Sequence, residues 1–101
     1  MQIQFFGKNI DVTPAMKTFA TEKLSTLEKS FSRIQSINMT FHVEHNTQIA
    51  EATVHLDGTE IHAHAENDDM YQSIDMVVEK LLHQAIKHKE KMIDGRRRIE
   101  E

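Results

Sequence analysis

The chain has 101 residues, no Cys and a formal charge of −4 at pH 7, with 39% hydrophobic and 28% charged residues. That composition describes one globular domain and excludes a disulfide framework, a thiolate metal site and a Cys nucleophile. No apolar run approaches the roughly 20 residues of a membrane span, and MQIQFFGKNI at the start lacks the basic and apolar regions of a secretion signal, so a cytoplasmic protein is expected.

Gln2-Ile3-Gln4-Phe5-Phe6 alternates like a short strand ending at Gly7. Thr13 suits a helix N-cap and Pro14 the first helical position, where no N–H is needed. Met16, Phe19, Ala20, Leu24, Leu27 and Phe31 then recur every three or four residues, which predicts one apolar stripe on a helix of about 17 residues. Ile37, Met39, Phe41 and Val43 alternate with polar residues in a half-buried strand. His45-Asn46-Thr47-Gln48 reads as a turn. Ala50, Ala52, Val54 and Leu56 mark the next strand, Asp57-Gly58 a hairpin, and Ile61, Ala63 and Ala65 the strand that follows. Repeated Ala on one face leaves room for a helix to sit close. Asn67-Asp68-Asp69 supplies a carboxylate cap for a second helix, with Met70, Ile74, Val77, Val78, Leu81, Ala85 and Met92 as its stripe. Gly95 is expected to end it.

The order is β-α-β-β-β-α. The first βαβ unit makes two parallel strands, and the remaining strands continue as an antiparallel meander. The expected fold is therefore α+β, a two-layer sandwich with a four-stranded mixed sheet and two helices on one face. Residues 1–95 form the domain and 96–101 a frayed basic-acidic tail.

Charge is sorted along the chain. All twelve Lys and Arg lie in residues 1–33 or 80–98, whereas residues 34–79 hold nine Asp or Glu and no Lys or Arg. The strands are therefore acidic and the helices carry the cations. On the second helix Lys80, Lys87 and Lys91 fall within about 40° of one another, with His83 and Gln84 beside them; Lys89 borders the other side of the apolar stripe and His88 lies near its centre. On the first helix Lys17 and Lys23 border the stripe on its two sides, and Arg33 follows the helix end. Two helices side by side could merge these cations into one patch across the groove between them, a footprint for a polyanion; no exposed aromatic residues are expected, so phosphate contact and shape, not base stacking, should dominate any RNA binding. Solvated helix faces would give the same pattern, and cations near a helix C-terminus are favoured by its dipole.

Val12-Thr13-Pro14-Ala15, Lys23-Leu24 with Leu27-Glu28-Lys29, Asp69-Met70-Tyr71 with Ile74-Asp75, Lys80-Leu81, Gln84, Lys87-His88-Lys89, and Gly58 with Glu60-Ile61-His62-Ala63 together resemble the bacterial ribosome hibernation promoting factor family, also called the ribosome-associated inhibitor or sigma-54 modulation protein family. The resemblance spans residues 1 to about 92 and is nearest the short form. It implies binding to the small ribosomal subunit on 16S rRNA, in the channel for messenger and transfer RNA. A folded plug there blocks the A and P sites in stationary phase, without covalent chemistry or a cofactor. It further implies rRNA contact by Lys17, Lys23, Arg33, Lys80, His83, Lys87, His88, Lys89 and Lys91, with Tyr71 placing or packing the second helix and direct rRNA contact by Tyr71 as the lesser alternative. Pairing of 70S ribosomes into 100S particles with a separate modulation factor is the favoured end state, because the chain has neither the dimerising domain of the long form nor the acidic tail of the relative that opposes pairing.

There are departures from the family pattern. His83 stands where relatives often carry Arg, which weakens that contact and ties it to pH. Thr26 replaces a frequently basic position, and Arg96-Arg97-Arg98 lies beyond the usual end of the short form. Two other readings remain open: a metal-binding module using His42, His55, His62 and His64 on the open sheet face, and a protein-interaction domain, including a weak homodimer through the sheet, of an otherwise monomeric chain. No nucleophile motif, placed carboxylate pair or phosphate-binding glycine loop suggests an enzyme.

Overall fold

A computed structural model describes the backbone of residues 2–31 and 33–100, and the side chains of that range up to residue 87. The elements run β1 (Gln2–Lys8), α1 (Pro14–Ser30), β2 (Ser36–Glu44), β3 (Thr47–Leu56), β4 (Thr59–Asn67) and α2 (Met70–Glu100). One sheet contains all four strands in the order β1-β2-β3-β4. β1 pairs with β2 in parallel, and the β2–β3 and β3–β4 pairs are antiparallel. This is the mixed sheet the alternation pattern predicts.

Each helix start follows from local chemistry. Thr13 is extended, and its hydroxyl accepts from the Met16 N–H at 3.1 Å, with Pro14 at the first helical position. Asp69 accepts from the Tyr71 N–H at 3.1 Å, while Asn67 Oδ1 accepts from the Asp69 N–H. These side chains satisfy amide groups that the helix itself leaves without partners. α1 ends at Phe31, whose N–H donates to the Leu27 carbonyl.

Two turns differ from or refine the expected pattern. The β2–β3 turn is shorter than the four residues expected: Glu44 pairs with Thr47, so only His45 and Asn46 bridge the strands. His45 takes φ +57°, a left-handed conformation that lets the chain reverse in two residues at a steric cost to a residue bearing a Cβ. The β3–β4 hairpin turns at Asp57-Gly58, with Gly58 at φ +72°, where glycine avoids that cost. At the far end, α2 is continuous through Gly95 to Glu100. A mid-helix glycine costs only about 1 kcal/mol relative to alanine, too little by itself to stop a helix, so the expected end at residue 95 is not found. The proposed tail, Met92 and the rest of residues 88–100 lie outside the described side chains.

One core joins the layers. Ile37, Met39 and Phe41 of β2, Ala50, Ala52 and Val54 of β3, and Ile61, Ala63 and Ala65 of β4 all point to the same side. There they meet Met16, Ala20, Leu24 and Leu27 of α1 and Met70, Ile74, Val77, Val78, Leu81 and Ala85 of α2. Phe5 stacks on Phe41 with ring centroids 6.0 Å apart, tying β1 into the same core. α2 lies over β3 and β4, and α1 lies beside it. Beneath α2, Ala52 faces Ala63 and Ala50 faces Ala65 across the β3–β4 pairing, and all four are buried. This floor of methyl groups brings the helix axis close to the sheet. Ser73 is the buried polar exception: its hydroxyl donates to the Gln48 carbonyl at 2.7 Å, pinning the first turns of α2 to β3.

Because Ala63 is buried beneath α2, Ala63→Leu is expected to overpack the layer contact and lower unfolding stability by about 1–3 kcal/mol. Urea melts of the parent and the variant measure this directly, and an unchanged midpoint would mean that the layers are not closely packed there.

Candidate nucleic-acid interface

Among the described residues, the cations expected to form the site occupy four separate places. On α2, Lys80 and Lys87 are both exposed and lie seven residues apart, so they share a flank within about 20°. That flank overhangs β4, an edge strand of the sheet. Lys80 Nζ donates to the His64 carbonyl at 2.8 Å, and Gln84 Nε2 donates to the His62 carbonyl at 2.9 Å. The match has a geometric basis. Four helical residues advance about 6 Å, and two strand residues about 6.8 Å, so an i, i+4 pair on the helix falls opposite alternate carbonyls of an edge strand running the other way. Both side chains thereby cover groups that would otherwise template pairing with another sheet. A lysine bonded to one carbonyl keeps two N–H donors and its whole charge for an anion outside.

The groove between the helices is different. Lys23 of α1 reaches Asp75 of α2, with Nζ 3.2 Å from Oδ1 and both side chains about half exposed. The ammonium also sits 5.4 Å from the centre of the Phe19 ring. Phe19 meets Tyr71 edge to face with centroids 5.0 Å apart, so Tyr71 does pack as a helix-placing residue. The expected cationic patch across this groove is not formed. Asp75 faces α1, and a carboxylate at that distance cancels most of the field of Lys23.

Lys17 is exposed on α1, about 120° around the helix from Lys23, across the buried stripe. Arg33 lies beyond α1 and pairs with Asp57 of the β3–β4 turn at 3.7 Å, where Gln35 also donates to Asp57 at 2.9 Å. His83 is exposed, about 60° from Lys80. His88, Lys89 and Lys91 lie outside the described side chains.

The opposite face of the sheet carries Glu44, Glu51, Glu60 and Glu66 with His42, His55, His62 and His64, and Lys8 is its one Lys or Arg among the described residues. Thr53 Oγ1 lies 2.8 Å from His62 Nδ1, and His55 lies between Asn38 and Glu60. Among the described residues no three His, Asp or Glu converge as a metal group. None of the described helices is long and apolar enough to cross a membrane. Among the described residues the open sheet face is therefore acidic, whereas the helices carry Lys17, Lys23, Lys29, Lys80 and Lys87 together with Glu22, Glu28, Asp75 and Glu79, so positive charge is local to the Lys80–Lys87 flank and not a property of the whole helical layer.

Sequence reasoning found the Lys80–Lys87 flank but missed three things: the anchoring of Lys80 and Gln84 to β4, the Lys23–Asp75 pair, and the buried bond of Ser73. The four-residue spacing of Lys80 and Gln84 was legible. Its meaning required knowing that α2 overhangs a sheet edge.

Comparison with known proteins agrees with this architecture. A family model described as sigma 54 modulation protein / S30EA ribosomal protein matches residues 3–93. The ribosome hibernation promoting factor of Klebsiella oxytoca is 48% identical over 92 residues, covering 91% of this chain and 97% of that protein. The protein of the same name from Azotobacter vinelandii is 46% identical over 94 residues, covering 93% and 88%. Among solved structures, a ribosomal subunit interface protein from Coxiella burnetii superposes with a TM-score of 0.84 at 36% identity, covering 88% of this chain and 98% of that one. The N-terminal domain of Thermus thermophilus Protein Y does so with 0.78 at 26% identity, covering 83% and 94%.

If Lys80 and Gln84 guard the β4 edge, the double variant Lys80→Ala/Gln84→Ala should stay folded but self-associate as its concentration rises. Analytical ultracentrifugation is the check, and sedimentation that matches the parent's at every concentration would remove the guarding role. The match over residues 3–93, together with identities near one half over almost the whole length of the relatives, places this chain in the sigma-54 modulation protein / S30EA ribosomal protein family.

Proposed function

We propose that this chain is a ribosome hibernation factor of the cytoplasm. It acts as a folded plug that binds 16S rRNA in the messenger and transfer RNA channel of the small subunit, blocks the A and P sites, and silences translation in stationary phase. Pairing of the silenced 70S ribosomes into 100S particles, helped by a separate modulation factor, is its end state. The protein works by occupying space and breaks no bond.

One observation carries the reading. The alignment takes in 97% of a relative named for promoting ribosome hibernation, at 48% identity, which supports the same activity for this chain. The uneven charge adds a physical reason. A polyanion is repelled by the carboxylates of the open sheet face and attracted to the Lys80–Lys87 flank of α2, which favours approach from that side. Lys80 and Lys87 share one exposed flank, and Lys91 continues it in the sequence. Each lysine that neutralises a phosphate releases counterions and makes affinity depend on salt. The expected contacts of Lys17, Arg33, His83, His88 and Lys89 are secondary in this reading. Lys23, tied to Asp75, contributes less charge than its position suggests.

The test is sedimentation of a stationary-phase lysate through a sucrose gradient. The parent should travel with ribosomal particles. The triple variant Lys80→Glu/Lys87→Glu/Lys91→Glu should stay at the top while keeping the parent's circular dichroism. Undiminished co-sedimentation of that variant would show that another surface binds the ribosome.

A further inference from the structure

The flank of α2 that faces α1 has a chemistry unlike the lysine flank. Tyr71, Asp75, Leu82 and Ile86 follow one another along it at helical spacing. Tyr71 and Ile86 are 38% and 39% exposed, among the few large apolar side chains left in water. Across the groove, Phe19 holds the Tyr71 ring edge to face. Lys23 holds Asp75 at 3.2 Å and lies 5.4 Å from the Phe19 ring centre. Four side chains from two helices therefore make one cross-braced cluster of an aromatic pair, a carboxylate and an ammonium, open to solvent on one side.

This cluster is a poor phosphate site. Its one cation is already paired, and Asp68 and Asp69 stand at the adjacent start of α2. It suits a nucleobase better. A base has a π face that stacks on an aromatic ring without regard to charge, and guanine, adenine and cytosine present N–H donors that a carboxylate accepts. RNA is read in this way where bases are unstacked from their neighbours.

We propose that Tyr71 and Asp75, braced by Phe19 and Lys23, form a base-reading site. It takes one unstacked nucleobase bearing an amino group, which stacks on the Tyr71 ring and donates an N–H to the Asp75 carboxylate. The site rests on the RNA-binding reading above and adds to it a division of labour: the lysine flank meets phosphates, and the interhelix groove meets a base. Phe19 and Lys23 are positioning residues, one fixing the tyrosine ring and the other the carboxylate.

Salt dependence separates the two kinds of contact, because losing a phosphate contact lowers the slope of log affinity against log salt and losing a stack does not. Affinity for purified 30S subunits is measured across a salt series for the parent, Tyr71→Leu, Tyr71→Phe, Asp75→Asn and Lys87→Gln. Tyr71→Leu should bind about tenfold more weakly with the parent's slope, and Tyr71→Phe, which keeps a ring, should bind nearly as the parent does. Asp75→Asn, which also frees the charge of Lys23, should lose several-fold in affinity at a slope no lower than the parent's, whereas Lys87→Gln should reduce the slope by about one. Chemical probing of the 16S bases supplies a second measurement. At saturating protein, a base protected by the parent and by Lys87→Gln should become reactive with Tyr71→Leu and with Asp75→Asn. Asp75 is a surface residue, so its variant carries the test if Tyr71→Leu fails to fold. Parent-like affinity of both Tyr71→Leu and Asp75→Asn, or a loss accompanied by a lower slope, overturns the base-reading site while leaving the ribosome-binding reading intact. Failure of the parent itself to bind 30S overturns both.

Discussion

The seating of α2 on the alanine floor of β3 and β4 is the constraint on which the rest of the molecule depends. Ala50, Ala52, Ala63 and Ala65 present only methyl groups to the helix, so the helix comes down close to the sheet. Packed interiors resist volume changes of even one methylene, so the helix has little freedom to slide or roll. The bond from Ser73 to the Gln48 carbonyl sets its position along the strand. Every surface feature follows from that fixed rotation. One flank falls over the free edge of β4 and carries Lys80 and Gln84 to its carbonyls. The other meets α1 and joins Tyr71 to Phe19 and Asp75 to Lys23. A helix rotated by one residue would present neither surface.

The energetic weight of these contacts is uneven. Buried side chains such as Phe41, Leu24, Ile74 and Leu81 each contribute about 1.5–3 kcal/mol by leaving water, and they hold the two layers together. The exposed pairs contribute little to stability: an ion pair such as Lys23–Asp75 is worth about 0–1 kcal/mol. Their consequence is positional. They restrict long side chains that would otherwise sweep through solvent, and a restricted side chain loses less entropy when it meets a ligand. These surface contacts are therefore built on a core whose stability does not depend on them.

Much of this architecture was legible in the sequence because each signal was local. Thr13-Pro14 opens α1 by capping chemistry, Asp69 opens α2, Asp57-Gly58 turns the hairpin, and period-two alternation marks every strand. The resemblance carried by Asp69-Met70-Tyr71, Ile74-Asp75 and the basic residues that follow pointed to the family now identified. What could not be read were relations between elements distant in the chain. Nothing near Lys23 announces Asp75, 52 positions later, and nothing near Lys80 shows that the His64 carbonyl belongs to an edge strand. The expected merger of cations in the interhelix groove failed for that reason: the periodicity of α2 separates a basic flank from an acidic flank bearing Asp75, but which of the two turns toward α1 is a relation between helices. Gly95 misled in the opposite way, since a weak local preference was read as a stop where the helix runs on.

The acidic sheet face and the lysine flank of α2 are the two surfaces that the proposed RNA-binding role sets apart. The most direct test is a cryo-electron microscopy map of the protein on the small subunit. The account predicts both helices against 16S rRNA, with the flank of Lys80 and Lys87 toward phosphates, the groove of Tyr71 and Asp75 against a base, and the glutamate-bearing sheet face turned away. A map showing Glu51 and Glu66 of the sheet pressed against the rRNA, with α1 and α2 in solvent, would contradict it.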